Sequence, residues 1–334
     1  MLPDALILHL QRLSTEDGPG LRTTVFFKGC PLRCAWCHNP ESLSPAPQVH
    51  WLENRCLDCG ACLPACPNGC LVKTARGVVI ERSRCTGCGA CAEACPAGAL
   101  ELLGTRIGLE KLAAEALKDR AYFGTGGGVT VSGGEPTMQA DFVAAFLRRL
   151  HEAGIRTALD TCGLCAPASL EALLPYADVI LYDLKEIDPA RHRALTGHDN
   201  RRILENLLLV RDFVAARQTA AQAGLLTEPV TLWIRTPLIP PTDGRPATAG
   251  TATYDNVAGI GRFLAGQMNG TVARWELCAF NNLCRDKYRR LGLPWDYAAT
   301  PLLTAGEVEE LAACARRSGV NPAVVVATGA TRSK

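Results

Sequence analysis

The sequence predicts an α/β fold in which parallel strands alternate with helices and a small cysteine-rich module interrupts the pattern. From about residue 105 onward, apolar strand-like segments alternate with amphipathic helix-like segments. This alternation is typical of parallel strands joined by right-handed crossovers. With TTVFF as the first strand, the chain offers about six such units and a terminal strand, fewer than the eight units of a closed barrel. We therefore expect an incomplete barrel or an open sheet, with functional groups at the C-terminal ends of the strands.

The individual elements follow from the period of the apolar residues. The predicted strands are TTVFFKG, GGVTVSG, IRTALDTCG, DVILYDLKE, PVTLWIRTPLI, TVARWELCAF and PAVVVAT. The predicted helices are GLEKLAAEALKDRAYFG, ADFVAAFLRRLHEAG, SLEALLPYA, residues 200–222, residues 256–267 and TAGEVEELAACARRSGV. Residues 46–103 are rich in Cys, Pro and Gly and break this alternation, which predicts a small inserted domain. Residues 1–45 and 104–334 would then form the main domain.

Composition excludes several classes of protein. The 334 residues are 48% hydrophobic and 20% charged with a net charge of +2, so no strongly basic field points to nucleic acid. The apolar runs are too short to cross a bilayer, and the N-terminus lacks the features of a signal peptide, so we expect a cytoplasmic protein. Seventeen cysteines, grouped at two-residue gaps, favour metal binding over disulfides in such a chain.

Two cysteine runs in the insert have the spacing of iron–sulfur ligands. CLDCGACLPACP and CTGCGACAEACP both fit C-x2-C-x2-C-x3-C-P, the run that binds 4Fe–4S clusters in two-cluster ferredoxins. The fourth cysteine of each run serves the other cluster in that arrangement. One cluster would use Cys56, Cys59, Cys62 and Cys95, and the other Cys85, Cys88, Cys91 and Cys66. A pair of zinc sites is the alternative, and Cys70 lies outside the pattern.

A third cysteine motif is one ligand short. KGCPLRCAWCHNP places Cys30, Cys34 and Cys37 at spacings of four and three, directly after a predicted strand. A 4Fe–4S cluster held by three thiolates keeps one iron open to another ligand. The alternative is a zinc site with a distant fourth ligand such as His38, although zinc usually takes short C-x-x-C pairs.

Here the sequence resembles a known family. Residues 28–37 resemble the cluster loop of radical S-adenosylmethionine (SAM) enzymes, with Trp36 at its aromatic position. In that superfamily the amino and carboxylate groups of SAM chelate the open iron. STEDGPGLRTTVFFKGCPLRCAWCHNPES, residues 14–42, resembles the N-terminal signature of the activating enzymes of glycyl radical enzymes, and the two-motif insert matches the larger members. The resemblance implies a partial (β/α)6-type radical SAM barrel with an inserted ferredoxin-like double 4Fe–4S domain.

The resemblance also implies roles for single residues. Nine residues match family positions that bind SAM. They are Gly133, Gly134 and Glu135 of GGEP after the second predicted strand, the strand-end acids Asp160 and Asp183, and Trp36, Lys185, Arg235 and Asn281. Asp17 in EDGPG matches a position that contacts the partner protein. Several of these assignments have a structural alternative. GGEP and DGPG could be plain turns, Asp183 and Lys185 could form an interior salt bridge, and Arg235 could pair with a neighbouring acid. Several relatives carry His where this chain has Asn281, which cannot change charge near neutral pH.

We therefore expect an activating enzyme that binds three 4Fe–4S clusters and SAM. The resemblance also implies a monovalent cation, which the acids at the positions of Asp160 and Asp183 help to bind in relatives. SAM cleavage would give a 5′-deoxyadenosyl radical, which takes a hydrogen from a backbone glycine of a partner glycyl radical enzyme. The expected electron donor is a low-potential carrier such as flavodoxin or ferredoxin, under anaerobic conditions. The alternatives are a radical SAM enzyme acting on another peptide or a small molecule, and an electron carrier that uses only the two ferredoxin clusters. The sequence assigns no role to Cys70, Cys278 or Cys284, for which buried structural thiols are the common outcome.

Overall fold

The computed structural model describes residues 3–75, 77–224, 229–242, 250–268 and 270–333. The strands are β1 (Ala5–Ser14), β2 (Arg22–Phe27), β3 (Gln48–Trp51), β4 (Leu71–Thr74), β5 (Gly77–Ile80), β6 (Leu100–Leu103), β7 (Thr105–Ile107), β8 (Gly128–Gly133), β9 (Thr157–Thr161), β10 (Val179–Asp183), β11 (Thr231–Leu238), β12 (Val272–Ala279) and β13 (Val325–Thr328). The α-helices are α1 (Cys62–Ala65), α2 (Ala90–Glu93), α3 (Leu109–Leu117), α4 (Ala140–Glu152), α5 (Pro167–Leu173), α6 (Pro189–Thr196), α7 (Arg201–Gln222), α8 (Tyr254–Gln267), α9 (Arg285–Leu291) and α10 (Ala305–Arg316).

One large sheet carries the main domain. Its strand order is β13-β12-β11-β10-β9-β8-β2-β1-β7. The seven neighbouring strands β2, β8, β9, β10, β11, β12 and β13 pair in parallel. β1 and β7 extend the sheet beyond β2 with antiparallel pairing. The predicted α/β class is confirmed, and each predicted strand corresponds to one of the parallel strands. The edge strands β1 and β7 were not predicted.

The parallel strands are buried because helices cover the sheet. Every residue of β2 is buried, and apolar side chains of β8 to β12 form one continuous core with the helices. Such runs without polar alternation are typical of strands in parallel sheets. Helices α3, α4, α5, α7, α8 and α10 correspond to the predicted ones, whereas α6 and α9 were not predicted. Among the described residues, no helix combines the length and apolar character needed to cross a membrane.

The cysteine-rich segment has its own small sheets and core. β3 pairs with β6, so the chain enters and leaves the insert through neighbouring antiparallel strands. β4 pairs with β5 in a second hairpin. The short helix α1 begins at Cys62 and α2 includes Cys91, the third cysteine of each run. Apolar residues of these elements, including Val49, Val78 and Leu100, form a core separate from that of the main sheet.

Candidate functional site

A cleft of about 630 Å³ opens at the C-terminal ends of the parallel strands. Its lining includes most of the residues to which the sequence assigned roles in the main domain: Asp17, Cys30, Cys34, Trp36, Cys37, Gly133, Gly134, Asp160, Asp183, Lys185, Arg235 and Asn281. Asp17 lies in the loop between β1 and β2, and the others come from β8, β9, β10 or β11 or from the loops that follow β2, β8, β10 and β12. Parallel strands place their carboxyl ends at one edge, which explains why such distant positions meet.

Backbone hydrogen bonds hold the three-cysteine loop on both sides. After β2, the amide of Gly29 donates to the carbonyl of Ser42 at 2.7 Å. Farther along, the amide of Ala35 donates to Leu195 at 3.0 Å, in the helix α6. Within the loop the amide of Cys37 donates to the carbonyl of Cys34 at 3.0 Å. The three thiols are therefore presented by a loop whose path is fixed by its neighbours.

A C-terminal segment covers the outer side of this loop. The Tyr288 hydroxyl donates to the Cys37 carbonyl at 2.8 Å, and the Trp295 indole N–H donates to the Ala35 carbonyl at 3.0 Å. Trp36 is 5% exposed and packs with Phe280 and Tyr297 in an apolar cluster. The KYRRLG segment, which begins in α9, thus helps to hold the cysteine loop in place through Tyr288, a role that its residue pattern alone does not indicate.

The thiols of the loop lie in a desolvated environment. Burial raises the pKa of Cys34 to about 11 and also raises the pKa of Cys37. A hydrogen bond from the Cys162 thiol lowers the pKa of Cys30. Binding of iron must therefore displace protons from at least Cys34 and Cys37, since only thiolates ligate metal. Cys162 in DTCG lines the same cleft, and sequence reasoning gave it no role.

The GGEP glycines bring the end of β8 against the start of the cysteine loop. Gly133 has φ of +113°, and a Cβ there would lie 2.4 Å from the Phe27 nitrogen. A Cβ on Gly134 would lie 2.1 Å from the Gly29 carbonyl oxygen. The amide of Gly134 donates to Phe27 at 2.9 Å, and that of Glu135 donates to Gly29 at 2.8 Å. Glycine is needed here for the contact of one backbone with another.

Glu135 lies beneath the cleft and is absent from its lining. Its side chain is fully buried. One carboxylate oxygen accepts from the amide and hydroxyl of Thr137 at 3.1 and 2.7 Å, and from the Thr161 hydroxyl at 2.8 Å. The other accepts from the amide of Cys162 at 2.7 Å. The carboxylate therefore ties the loop after β8 to the end of β9.

Charged side chains form ion pairs across the adjacent strands β9, β10, β11 and β12. Lys185 Nζ lies 2.5 Å from an Asp183 oxygen, and Arg235 lies 3.6 Å from Asp160 and 3.3 Å from Glu276. The Ser132 hydroxyl donates to Asp160 at 2.6 Å. Burial raises the pKa of Asp160 to about 7, against the opposing effect of the Arg235 guanidinium. The interior salt bridges considered from the sequence are therefore present, and they line the cleft.

Asp17 and Asn281 lie at other points of the lining. The hydroxyls of Ser14 and Thr24 donate to Asp17 at 2.6 and 2.7 Å, which fixes its carboxylate at the cleft. The Asn281 carbonyl hydrogen-bonds the imidazole of His38 at 3.0 Å, and His38 also lines the cleft. An imidazole therefore lies beside Asn281, at a sequence separation of 243 residues. Cys278 lines the cleft near Arg235, whereas Cys284 is buried behind the Cys37 carbonyl.

The insert groups its cysteines around two cavities. Cys56, Cys59, Cys62 and Cys95 line one cavity, and Cys66, Cys85, Cys88 and Cys91 line the other together with Cys70. Backbone amides point at the sulfurs after each run, such as that of Ala99 at 3.2 Å from Cys95 Sγ. At each cavity the four cysteines of the predicted ligand set and nearby amide donors fit a 4Fe–4S cluster, and Cys70 is an additional thiol at the second. The grouping is the crosswise one that the run spacing predicts.

Sequence profiles match both parts of the chain. Residues 82–216 match the radical SAM superfamily, residues 55–99 match a 4Fe-4S dicluster domain and residues 16–61 match a 4Fe-4S single cluster domain. The last of these includes the three-cysteine loop. The matches support 4Fe–4S clusters and SAM as cofactors of this chain.

Curated relatives extend over most of the chain. It is 36% identical to the (2S)-3-sulfopropanediol dehydratase activating enzyme of Klebsiella oxytoca, covering 88% of this chain and 87% of the relative. It is 35% identical to the choline trimethylamine-lyase activating enzyme of Oleidesulfovibrio alaskensis, with 94% and 95% covered. Pyruvate formate-lyase 2-activating enzyme of Escherichia coli is 34% identical, with 96% and 92% covered.

A solved structure supports the fold at low sequence identity. Streptococcus suis SuiB bound to precursor peptide SuiA matches with a TM-score of 0.50 at 11% identity, over 90% of this chain and 46% of that chain. This likeness concerns the fold alone, whereas the three activating enzymes above match over 88% or more of this chain at 34% identity or more. These relatives, together with the cysteine loop and the two-cavity insert, show that the chain belongs to the activating enzymes of glycyl radical enzymes in the radical SAM superfamily.

Proposed function

We propose that the chain generates a glycyl radical in a partner enzyme, with three 4Fe–4S clusters and SAM bound at the sites described above. Reductive cleavage of SAM supplies methionine and the 5′-deoxyadenosyl radical that takes the hydrogen from the partner's glycine. The observation that carries the proposal is the convergence of three loop thiols, a glycine backbone and a charged row on one open cleft. A cleft of about 630 Å³ has room for SAM, and its open mouth suits a macromolecular substrate.

In this proposal Cys30, Cys34 and Cys37 hold the SAM cluster. The backbone of Gly133 and Gly134 faces the SAM amino group. Asp160, Asp183, Lys185 and Arg235 bind the amino-acid and ribose portions, and the two acids also hold a monovalent cation, as the family resemblance implies. Their mutual ion pairs support this assignment, because a buried and pre-ordered charged row loses little conformational freedom when it binds a zwitterion.

Three further residues complete the SAM and partner sites. Trp36, within the cluster loop, packs against Phe280. Asn281, whose carbonyl hydrogen-bonds His38, contributes polar groups beside it. Asp17, fixed by two hydroxyls, contacts the glycine loop of the partner. Glu135 acts as a positioning residue, because its carboxylate already accepts hydrogen bonds from buried donors on both sides.

The insert supplies a route for electrons in this proposal. Its two clusters, with Cys56, Cys59, Cys62 and Cys95 and with Cys66, Cys85, Cys88 and Cys91, accept electrons from a low-potential carrier such as flavodoxin or ferredoxin. We take residues 46–103 as this inserted domain and residues 1–45 and 104–334 as the barrel. The cytoplasm, where such carriers operate, is the predicted location. If removal of both insert clusters left activation by the physiological donor unchanged, the electron route would be wrong.

The partner is proposed as a class. The relatives are named for a dehydratase, a choline lyase and pyruvate formate-lyase 2, which differ in substrate. These substrates belong to the partner enzymes, and the cleft of an activating enzyme meets only the partner's glycine loop. The proposed partner is therefore a glycyl radical enzyme.

Iron content and SAM cleavage test the proposal together. Anaerobically reconstituted protein should contain about twelve irons and form 5′-deoxyadenosine with a strong reductant. Cys34→Ala should lose about four irons and all SAM cleavage. Cys314→Ala, on α10 and outside the cleft lining, is the matched control and should retain both. About eight irons in the wild type, with no 5′-deoxyadenosine, would instead identify an electron carrier.

A further inference from the structure

The two cysteine runs of the insert differ at one buried position. The fourth residue after the last cysteine is Cys70 in the first run and Ala99 in the second. The amide of Cys70 lies 3.4 Å from Cys66 Sγ, and the amide of Ala99 lies 3.2 Å from Cys95 Sγ. The two positions are thus structurally equivalent, so Ala99 is an internal reference for the side chain of Cys70.

The thiol of Cys70 lies inside the second cavity. Cys70 is 3% exposed, and its Sγ is 3.3 Å from Cys66 Sγ. It also contacts Cys85 and lines the cavity with the four cysteines assigned as ligands there. In the first cavity Ala99 occupies the corresponding part of the lining and offers no polar atom on its side chain.

The internal repeat identifies which of the neighbouring thiols is the ligand. Cys66 occupies the last position of C-x2-C-x2-C-x3-C-P, as Cys95 does in the other run. The first cavity is complete with Cys95 and has no second thiol at residue 99. By this equivalence Cys66 ligates iron, and Cys70 is a fifth thiol beside a filled ligand position.

We propose that Cys70 donates an S–H hydrogen bond to the Cys66 thiolate and thereby raises the reduction potential of the second cluster. A ligating thiolate has no proton to donate, so the direction of the bond follows from the ligand assignment. Hydrogen bonds to cluster sulfurs stabilise the additional negative charge of the reduced state, which makes reduction more favourable. The two clusters of the insert are therefore unequal, and the second holds an electron more readily than it would with alanine at this position.

The inference rests on the proposed cluster assignment, and its test uses the full reconstituted chain. Cys70→Ala, which copies the other run, should retain about twelve irons while the midpoint potential of one cluster falls and the other midpoints remain unchanged. Ala99→Cys should raise the midpoint of the other insert cluster, since residue 99 lines its cavity. Cys314→Ala should move none of them. Redox titration followed by electron paramagnetic resonance measures these shifts.

Each outcome has a defined meaning. Unchanged midpoints in Cys70→Ala with full iron would overturn the role of Cys70 and leave the cluster assignment intact. Loss of iron in Cys70→Ala would also overturn it, because Cys70 would then be a ligand. Should Cys70→Ala fail to fold, an unchanged midpoint in Ala99→Cys would contradict the inference. A wild type with fewer than about twelve irons would instead contradict the three-cluster proposal itself.

Discussion

Lys185 Nζ lies 2.5 Å from a carboxylate oxygen of Asp183, and both side chains line the cleft at the end of β10. Burial opposes the charged form of Lys185, but Asp183, Cys34 and Cys162 together raise its pKa above the ordinary value, so the amine stays charged. Alternation along an extended chain places residues two apart on the same side, which explains the pair. Two roles fit this geometry: a purely structural ion pair, and a pair that also binds the SAM amino acid.

Lys185→Met separates these roles. If Lys185 binds the SAM carboxylate, losing one hydrogen bond to a charged group costs about 1.5–3 kcal/mol, so the Kd for SAM rises about 10–100-fold. Lys118→Met, which removes a surface lysine paired with Glu115 at 2.6 Å, is the control and should leave the Kd unchanged. Equilibrium binding of SAM to reconstituted protein measures the effect. Destabilised protein with an unchanged Kd would mean that the pair is structural.

Asp160 should make SAM binding depend on pH near neutrality. Burial raises the pKa of its carboxyl group to about 7, so the group is neutral below that pH and negative above it. The SAM sulfonium is a permanent cation, and its affinity should therefore increase as the pH rises through 7. Asp160→Asn should remove this dependence, because an amide does not titrate. The measurement is the Kd for SAM between pH 6 and 8.5, and a slope retained in Asp160→Asn would assign the titration to another group.

The sequence predicted those features that depend on local pattern. Apolar runs are enough to locate the parallel strands, and the cysteine spacing is enough to group the thiols of the insert. Contacts between residues far apart in the sequence produce no local pattern and were not predicted. Tyr288 donates a hydrogen bond to the Cys37 carbonyl at a sequence separation of 251 residues. The Glu135 carboxylate lies below the cleft because it accepts hydrogen bonds from Thr161 at the end of β9 and from Cys162 directly after it. The strand β1 was missed because its identity depends on pairing with β2.

Glu135 should matter for stability more than for SAM contact. Removing its carboxylate in Glu135→Ala leaves the buried amides of Thr137 and Cys162 without their acceptor, at about 1–3 kcal/mol each. Glu135→Gln keeps the shape but turns an NH2 group toward donors, so its loss should be smaller. Glu152→Ala, at an exposed pair 3.9 Å from Arg148, should cost less than about 0.5 kcal/mol.

Anaerobic urea unfolding followed by circular dichroism checks this order of stability. The midpoint should fall most in Glu135→Ala, less in Glu135→Gln and hardly at all in Glu152→Ala. A Glu135→Ala protein with a wild-type midpoint and a raised Kd for SAM would show that the carboxylate contacts SAM directly.

Gly134→Ala should disturb the SAM cluster without touching a cysteine. The added Cβ would lie 2.1 Å from the Gly29 carbonyl oxygen, a backbone atom that cannot move unless the loop carrying Cys30 moves with it. We expect loss of about four irons and of SAM cleavage, with the insert clusters retained. Gly266→Ala is the matched control, because residue 266 is exposed on α8 and a Cβ there meets nothing within 4 Å. Alanine there should stabilise the helix by about 0.5–1 kcal/mol. Full iron content in Gly134→Ala would show that the loop tolerates displacement, and that the close backbone contact does not position the cluster.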